Sequence, residues 1–435
     1  MNLDTTSGCS SRSDHVASGR WRGLWTILAL AAIVRVGALW VWSENLTEDR
    51  DVYLAIARGV VEGRGYSVQG TNVPTAFRPP LYPLLLVATG TSDSVWGRAF
   101  LHLVLGVATV WLTYLLGRRL GLCEPLALFA AGLVAVDPLL LRYTTFPMTE
   151  TLATFLATAL LLSLTMPTSR RQQFVTGAIF GLNVLCRPTL WVFAGLMGLW
   201  WLVRGWIAGE DRGSENHGRL RNVPWFTLAA VLIVVLPWVV RNALVMGHPI
   251  LMTTHGGYTL LLGNNPSFYR EVVDQPSGTV WDGSHGEGQE VWAASINRRL
   301  DEAGVAGEVA RDGWMGQLAK QHIRNEPGEF VKACWLRFRR FWSLVPHGDA
   351  DSSVSPMVRM PIGLFYGGVF LLALIGLGRV LIVDPARWCP LILLIVTFVS
   401  VHLVYWSNAR MRSPVVPAVA LLASRSLVSR RFVCD

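Results

Sequence analysis

The stretch that decides the fold is Gly23-Leu-Trp-Thr-Ile-Leu-Ala-Leu-Ala-Ala-Ile-Val-Arg-Val-Gly-Ala-Leu-Trp-Val-Trp-Ser43, followed at once by Glu44-Asn-Leu-Thr-Glu48-Asp49-Arg50-Asp51-Val-Tyr53. An apolar run of about twenty residues is what one helix needs to cross a bilayer. It is too long for a typical signal-peptide core and has no clear small-residue cleavage site, so it reads as a retained anchor helix. Comparable runs recur along the chain at 96–117, 125–142, 148–166, 173–186, 188–206, 223–240, 361–380, 388–406 and 413–427. Several are shorter than a full span and are expected to tilt, kink or lean on interfacial residues. Pro188, Pro237 and Pro390 fall at or inside these runs, which a packed membrane bundle tolerates.

Composition agrees. Of the 435 residues, 52% are hydrophobic and only 15% are charged. A soluble domain carries about 25% charged residues, so a soluble enzyme, a disordered chain and a fibre are excluded. The 19 Trp suit a chain with many water–lipid boundaries. The formal net charge is +9, almost all of it from Arg; Lys320 and Lys332 are the lysines. Most of these arginines lie in short loops, where they set orientation rather than bind nucleic acid. The six cysteines are scattered without a CxxC pair, so no zinc site or disulfide framework is read.

With the N-terminus placed in the cytoplasm, every alternate loop is basic. Arg118 and Arg119, Arg170 and Arg171, then Arg204, Arg212, Arg219 and Arg221, then Arg379 and Arg387, and the tail with Arg425, Arg430 and Arg431 all fall inside. The expected organisation is a cytoplasmic tail (1–22), an N-terminal membrane region (23–240), an outer segment (241–360), a C-terminal membrane region (361–427) and a cytoplasmic tail (428–435). The first outer loop is 44–95. The outer stretch 299–345 reads as helical and amphipathic, packing on the outer membrane surface.

The chemistry gathers in these outer segments. Asp49 and Asp51 precede an amphipathic run, so each is either a helix cap or a carboxylate in a cleft, where it would serve as a general base. The loop closes with Pro74-Thr-Ala-Phe-Arg78-Pro79-Pro80-Leu-Tyr82-Pro83. This stiff segment carries Arg78 to headgroup level, and a planar guanidinium suits a phosphate.

These motifs resemble the first outer loop of the GT-C membrane glycosyltransferases, in particular the family 39 branch of protein O-mannosyltransferases and aminoarabinose transferases. The resemblance is carried by an acidic residue four before Tyr53, then Ala57, then Gly63-Arg64-Gly65-Tyr66-Ser67, then Arg78-Pro79-Pro80-Leu81-Tyr82-Pro83. Pro237-Trp238-Val-Val-Arg241-Asn242, the His255-to-Pro266 segment, Glu150, Arg187 and Arg410-Met-Arg412 stand in the family's order over roughly 25–427. The resemblance implies an all-α integral membrane bundle of about ten transmembrane helices with two large extracytoplasmic loops. It implies transfer of a sugar from a polyprenyl-phosphate carrier to a periplasmic glycan, lipid or protein, with inversion and an acidic base in the first outer loop. The implied setting is a bacterial inner (plasma) membrane, with the active site facing outward and both termini in the cytoplasm.

The catalytic candidates are Asp49 and Asp51, with Asp49 first because it stands four before Tyr53; Arg50 replaces the acid that the family has after it. The substrate- and phosphate-binding candidates are Arg78, Tyr82, Glu150, Arg187, Arg241, His255, Asn264, Asn265, Arg410 and Arg412. Each has a structural alternative. Arg78 and Arg241 could anchor at the interface. Glu150 could pair within a hairpin holding Asp137 and Arg142. Arg187 could snorkel to the headgroups, and His255 could be a hydrogen-bonded structural residue. Gly263-Asn264-Asn265-Pro266 reads first as a turn. Arg410 and Arg412 sit outside against the orientation pattern, which asks for an anionic ligand. No cofactor is certain and a divalent cation stays open; one carboxylate cluster with few histidines is poor material for a tight metal site. The expected partners are the lipid bilayer, the carrier and the acceptor, with no nucleic acid. The rival function is a flippase for a polyprenyl-linked glycan, which should place charge at mid-membrane and show repeats.

Overall fold

The computed structural model describes residues 10–210, 224–276, 278–345 and 356–428. Arg212, Arg219, Arg221, Arg430 and Arg431 of the orientation pattern lie outside the described residues. Within them the chain is helical, with no β-strand beyond one isolated bridge between Ser67 and Pro74.

In chain order the helices are α1 (Ser10–Val41), α2 (Tyr53–Val61), α3 (Leu81–Ala88), α4 (Val95–Arg119), α5 (Glu124–Val136), α6 (Pro138–Thr144), α7 (Glu150–Leu164), α8 (Arg170–Cys186) and α9 (Leu190–Glu210). Then come α10 (Trp225–Met246), α11 (Gly256–Gly263), α12 (Pro266–Phe268), α13 (Gly288–Glu302), α14 (Glu308–Asn325), α15 (Pro327–Phe341), α16 (Pro356–Val383), α17 (Pro385–Val404) and α18 (Val416–Arg425). Local chemistry sets several starts. Ser94 caps α4 by accepting from the N–H of Gly97 at 3.0 Å, and Ser169 caps α8 through Gln172 at 3.1 Å. Asp137 followed by Pro138 ends α5 and starts α6, so this pair bends by 49°.

The chain is a multi-pass membrane protein. A helix stands at each of the ten apolar runs. Among the described residues, α1, α4, α10, α16 and α17 are long and apolar enough to cross a membrane alone, and the bent α5–α6 pair makes a sixth. Two shorter helices have a different setting. Residues 416–424 of α18 are all buried, and α7 is buried on nearly every face. They lie inside the bundle, so their length need not match the bilayer.

The segment between α10 and α16 has its own apolar core, with Leu261, Phe268, Tyr269, Trp281, Trp292 and Leu300 buried together. The stretch 299–345 is not one helix. Pro327 opens α15 at its first turn and separates it from α14.

Among the described residues four arginines are fully buried: Arg35, Arg98, Arg337 and Arg412. Each donates to carbonyls at or just beyond a helix end, groups that have no partner within the helix. Arg35 of α1 reaches Ala135 at 3.0 Å and Val134 at 3.2 Å, in the last turn of α5. It fits because Gly106 of α4 has no side chain; a Cβ there would lie 2.5 Å from the Arg35 Nε. Arg98 bonds the carbonyls of Leu46, Thr91 and Ser92. Arg337 holds those of Gly263, Leu403 and Val404, joining the ends of α11 and α17. A cation at a helix C-terminus also meets the negative end of its dipole.

Candidate active site

A cavity of about 1280 Å³ opens between the loop after α1, the segment after α10 and the helix ends of α8, α9, α16 and α17. Seven arginines line it against two carboxylates, Asp51 and Glu150. That excess of positive charge makes it a place for an anion.

The local backbone explains how Asp51 gets there. Val52, at the N-cap of α2, has φ +56°, the left-handed region that a β-branched residue rarely adopts. The turn separates two acids. Asp49 folds back over α2, accepting from the N–H groups of Leu54 at 3.0 Å and Ala55 at 2.7 Å. Asp51 points into the cavity. Its Oδ1 accepts from Nη2 of Arg78 at 2.9 Å and its Oδ2 from Nη1 of Arg410 at 3.0 Å. Burial pushes the Asp51 carboxyl up, but the charges of Arg410 and Arg78 outweigh it and hold the group below its ordinary value.

Glu150, 2% exposed at the first turn of α7, accepts from Nη2 of Arg187 at 2.7 Å. Nε of Arg410 stands 3.8 Å from the same oxygen. Arg410 therefore bridges both carboxylates. Burial alone would lower its affinity for the proton, but Asp51 and Glu150 raise it, so the charge is permanent. The second oxygen of Glu150 is buried without a hydrogen-bond partner.

His255 meets Arg78 at 3.3 Å through Nε2. A guanidinium can only donate, so Nε2 accepts and the ring proton sits on Nδ1. Burial, and then the Arg78 charge, push the His255 pKa down to about 3, so the ring is neutral at physiological pH. Phe77 packs edge-on against it, with centroids 4.2 Å apart.

Asp51, Arg78, Glu150, Arg187, His255, Arg410 and Arg412 thus share one cavity. Arg412 contributes little there, because its Nη1 donates to the carbonyls of Phe341 and Ser343 at the end of α15. The other candidates do not line the cavity. Asp49 is the cap just described. Tyr82 is fully buried and donates to Nε2 of His102 at 2.9 Å, since the other ring nitrogen of His102 donates to the Thr144 carbonyl. Arg241 holds the carbonyls of Tyr66 at 2.7 Å and Thr75 at 2.8 Å, the two ends of the turn leading to Arg78. Asn264 bonds the carbonyls of Leu260 and Val404 and accepts from Arg337. Asn265 caps α12 through Phe268. Arg241, Asn264 and Asn265 face backbone because turns and helix ends leave carbonyls and N–H groups to satisfy. Arg50, Arg142 and Arg340 also line the cavity; none of them was a ligand candidate in the sequence, where their only signal for that role was their charge.

A divalent cation does not fit this donor set. Both oxygens of Asp51 and one of Glu150 already face guanidinium groups. Among the described residues no three His, Cys, Asp or Glu side chains gather.

This helical membrane bundle, with its basic cavity around two carboxylates, resembles known glycosyltransferases in one stretch of its sequence and in its fold. Residues 77–240 match the family described as dolichyl-phosphate-mannose-protein mannosyltransferase. This match includes Arg78, Glu150 and Arg187 but not Asp51 or Arg410. Among solved structures, the archaeal oligosaccharyltransferase AglB from Archaeoglobus fulgidus, in complex with an inhibitory peptide and a dolichol-phosphate, is similar at 14% identity. It covers 93% of this chain and 50% of that one, with a TM-score of 0.50. The Archaeoglobus fulgidus oligosaccharyltransferase tethered with an acceptor peptide gives 13%, 93%, 49% and 0.50. ArnT from Cupriavidus metallidurans bound to undecaprenyl phosphate gives 14%, 92%, 77% and 0.39. The chain spans about half the length of the oligosaccharyltransferases it resembles. No protein of curated function matches it.

Proposed function

We propose that the chain transfers a sugar from a polyprenyl-phosphate carrier to a hydroxyl acceptor at the outer face of the membrane, with Asp51 as general base. The observation that carries this reading is the placement of Asp51 between Arg78 and Arg410 in the cavity.

The carrier's chain lies along the apolar wall of Val192, Val358, Ile362 and Val401, from α9, α16 and α17. Its phosphodiester meets Arg78, Arg187 and Arg410. The acceptor oxygen attacks the anomeric carbon as the bond to phosphate oxygen breaks, the acceptor proton passes to Asp51, and the polyprenyl phosphate leaves as a monoester. The arginines stabilise the charge that grows on the leaving group. One displacement inverts the anomeric centre. A carboxylate held by two guanidinium groups is a weak base. As the donor phosphate draws Arg78 and Arg410 toward itself, Asp51 loses part of that stabilisation and gains basicity. Arriving donor therefore switches on the base. The same reading places the protein in a bacterial inner membrane, with this cavity outside and both termini inside.

The test gives membranes holding the wild-type protein or Asp51→Asn a set of labelled polyprenyl-phosphate sugars. Label should move to an acceptor fraction with release of polyprenyl phosphate, and only with the wild type. Movement of intact carrier across liposomes without its consumption would make the protein a flippase and end the enzyme reading.

A further inference from the structure

Beside the cavity, α14 carries two acids one helical turn apart, Glu308 and Asp312, and neither lines the cavity. Both reach across to the loops that carry Arg78 and His255. Glu308 accepts from the Thr75 hydroxyl at 2.5 Å, the Ala76 N–H at 2.8 Å and, at very short range, the Thr254 hydroxyl. Asp312 accepts from the N–H groups of Gly257 at 2.7 Å and Tyr258 at 3.1 Å, capping the start of α11. The approach is so close that a Cβ on Gly257 would lie 1.9 Å from the Asp312 carbonyl oxygen. The two loops are also bonded to each other, Thr254 N–H to the Ala76 carbonyl at 3.0 Å. Arg78 and His255 follow these contacts by two or three residues on one loop and one on the other.

We infer that Glu308, supported by Asp312, is a positioning residue: a clasp that holds Arg78 against His255 and Asp51 in the geometry that receives the carrier phosphate. This rests on the proposed function above. One carboxylate with three donors fixes two loops at once, and charge-assisted hydrogen bonds are the strong kind. Without the clasp the loops separate, His255 loses both its burial and its contact with Arg78, and it becomes an ordinary solvated histidine. The charged and titratable groups facing His255 are Arg78, Asp51 and Arg410, with the Tyr258 ring tilted beside it at 5.3 Å. Glu308 and Asp312 lie behind its loop.

The experiment measures binding of undecaprenyl phosphate to the purified full chain in detergent, from pH 5 to pH 8. The proteins are wild type, Glu308→Gln and Thr75→Val; the last removes one donor while leaving the carboxylate in place. At pH 8 both variants should bind roughly tenfold more weakly, as expected for loss of a hydrogen bond to a charged group. The deficit relative to wild type should narrow as pH falls through about 6.5, where a released histidine gains a proton and attracts the phosphate. The ratio to wild type removes the phosphate's own titration. A deficit that is flat with pH, or no deficit at all, overturns the clasp and leaves Glu308 a structural bond. If the wild-type protein binds no carrier phosphate, the proposed function falls first and takes the clasp with it.

Discussion

Asp51 and Arg410 stand 359 positions apart in the chain and meet at 3.0 Å in the cavity, Oδ2 against Nη1. Arg410 arrives from the turn after α17 and Asp51 from the turn before α2, so the pair joins two distant ends of the chain. Replacing Asp51 with Asn should lower sugar transfer by about 10²–10⁴, the usual contribution of a general base. Arg410→Lys keeps the charge but loses the fork that spans Asp51 and Glu150, and should also impair transfer. Rates in membranes of equal protein content give the comparison.

The neighbouring acid separates cap from base. Asp49 accepts from two backbone N–H groups of α2 and does not line the cavity. Asp49→Asn keeps a capping side chain and should retain transfer within a few-fold. Asp49→Ala should cost about 1 kcal/mol of stability, the typical value of a lost cap. If Asp49→Asn is as inactive as Asp51→Asn, Asp51 has been wrongly assigned as the base.

Acid should destabilise the protein through His255. Its folded pKa of about 3 lies below the ordinary 6.5, so between these values the unfolded chain binds more protons and stability rises with pH. Acidification from pH 7 to pH 5 should therefore cost up to about 2 kcal/mol at this residue. His255→Gln should flatten that part of the melting curve measured in detergent. Asp51 acts in another window. Its folded pKa is depressed, so its contribution is fully present above the ordinary value of 3.8 and is lost as pH falls below it.

Orientation can be read by labelling. Trp335 is 61% exposed on α15 and Arg119 is exposed at the end of α4. Trp335→Cys should react with an impermeant maleimide in intact cells, and Arg119→Cys only after permeabilisation. The reverse pattern would invert the proposed topology.

Gly106 gives a test of the buried arginines. A methyl group there would lie 2.5 Å from the Arg35 Nε, so Gly106→Ala should lower stability by about 1–3 kcal/mol, the usual cost of overpacking. Thermal unfolding in detergent measures it.

Much of the fold was legible because apolar runs declare themselves: each of the ten coincides with a helix. Their depth was not. Whether α18 faces lipid or protein depends on neighbours far away in sequence, and its residues are as apolar as those of a span. At the site, Arg78, Glu150, Arg187, His255 and Arg410 stood out in the sequence and came together. The spacing to Tyr53 favoured Asp49, because a period says nothing about a left-handed residue at Val52 that turns Asp51 inward. Arg241, Asn264 and Asn265 also stood out in the sequence, yet Arg241 holds the two ends of the Tyr66–Thr75 turn and the two asparagines satisfy backbone groups at helix ends. Glu308 and Asp312 carried no signal beyond an acidic pair on an amphipathic helix, which is how a solvated face also reads.

Arg35 imposes an order of assembly. It is made before its carbonyl partner Ala135, which lies 100 residues later. At roughly 5–20 residues per second, that partner is made on the order of 5–20 seconds afterwards. For that interval α1 carries a cation inside an apolar helix with only its own Ala31 carbonyl in reach. Helix α1 is thus completed by the fourth helix after it, and a ribosome stalled before α5 would leave behind a membrane helix with an unanswered charge.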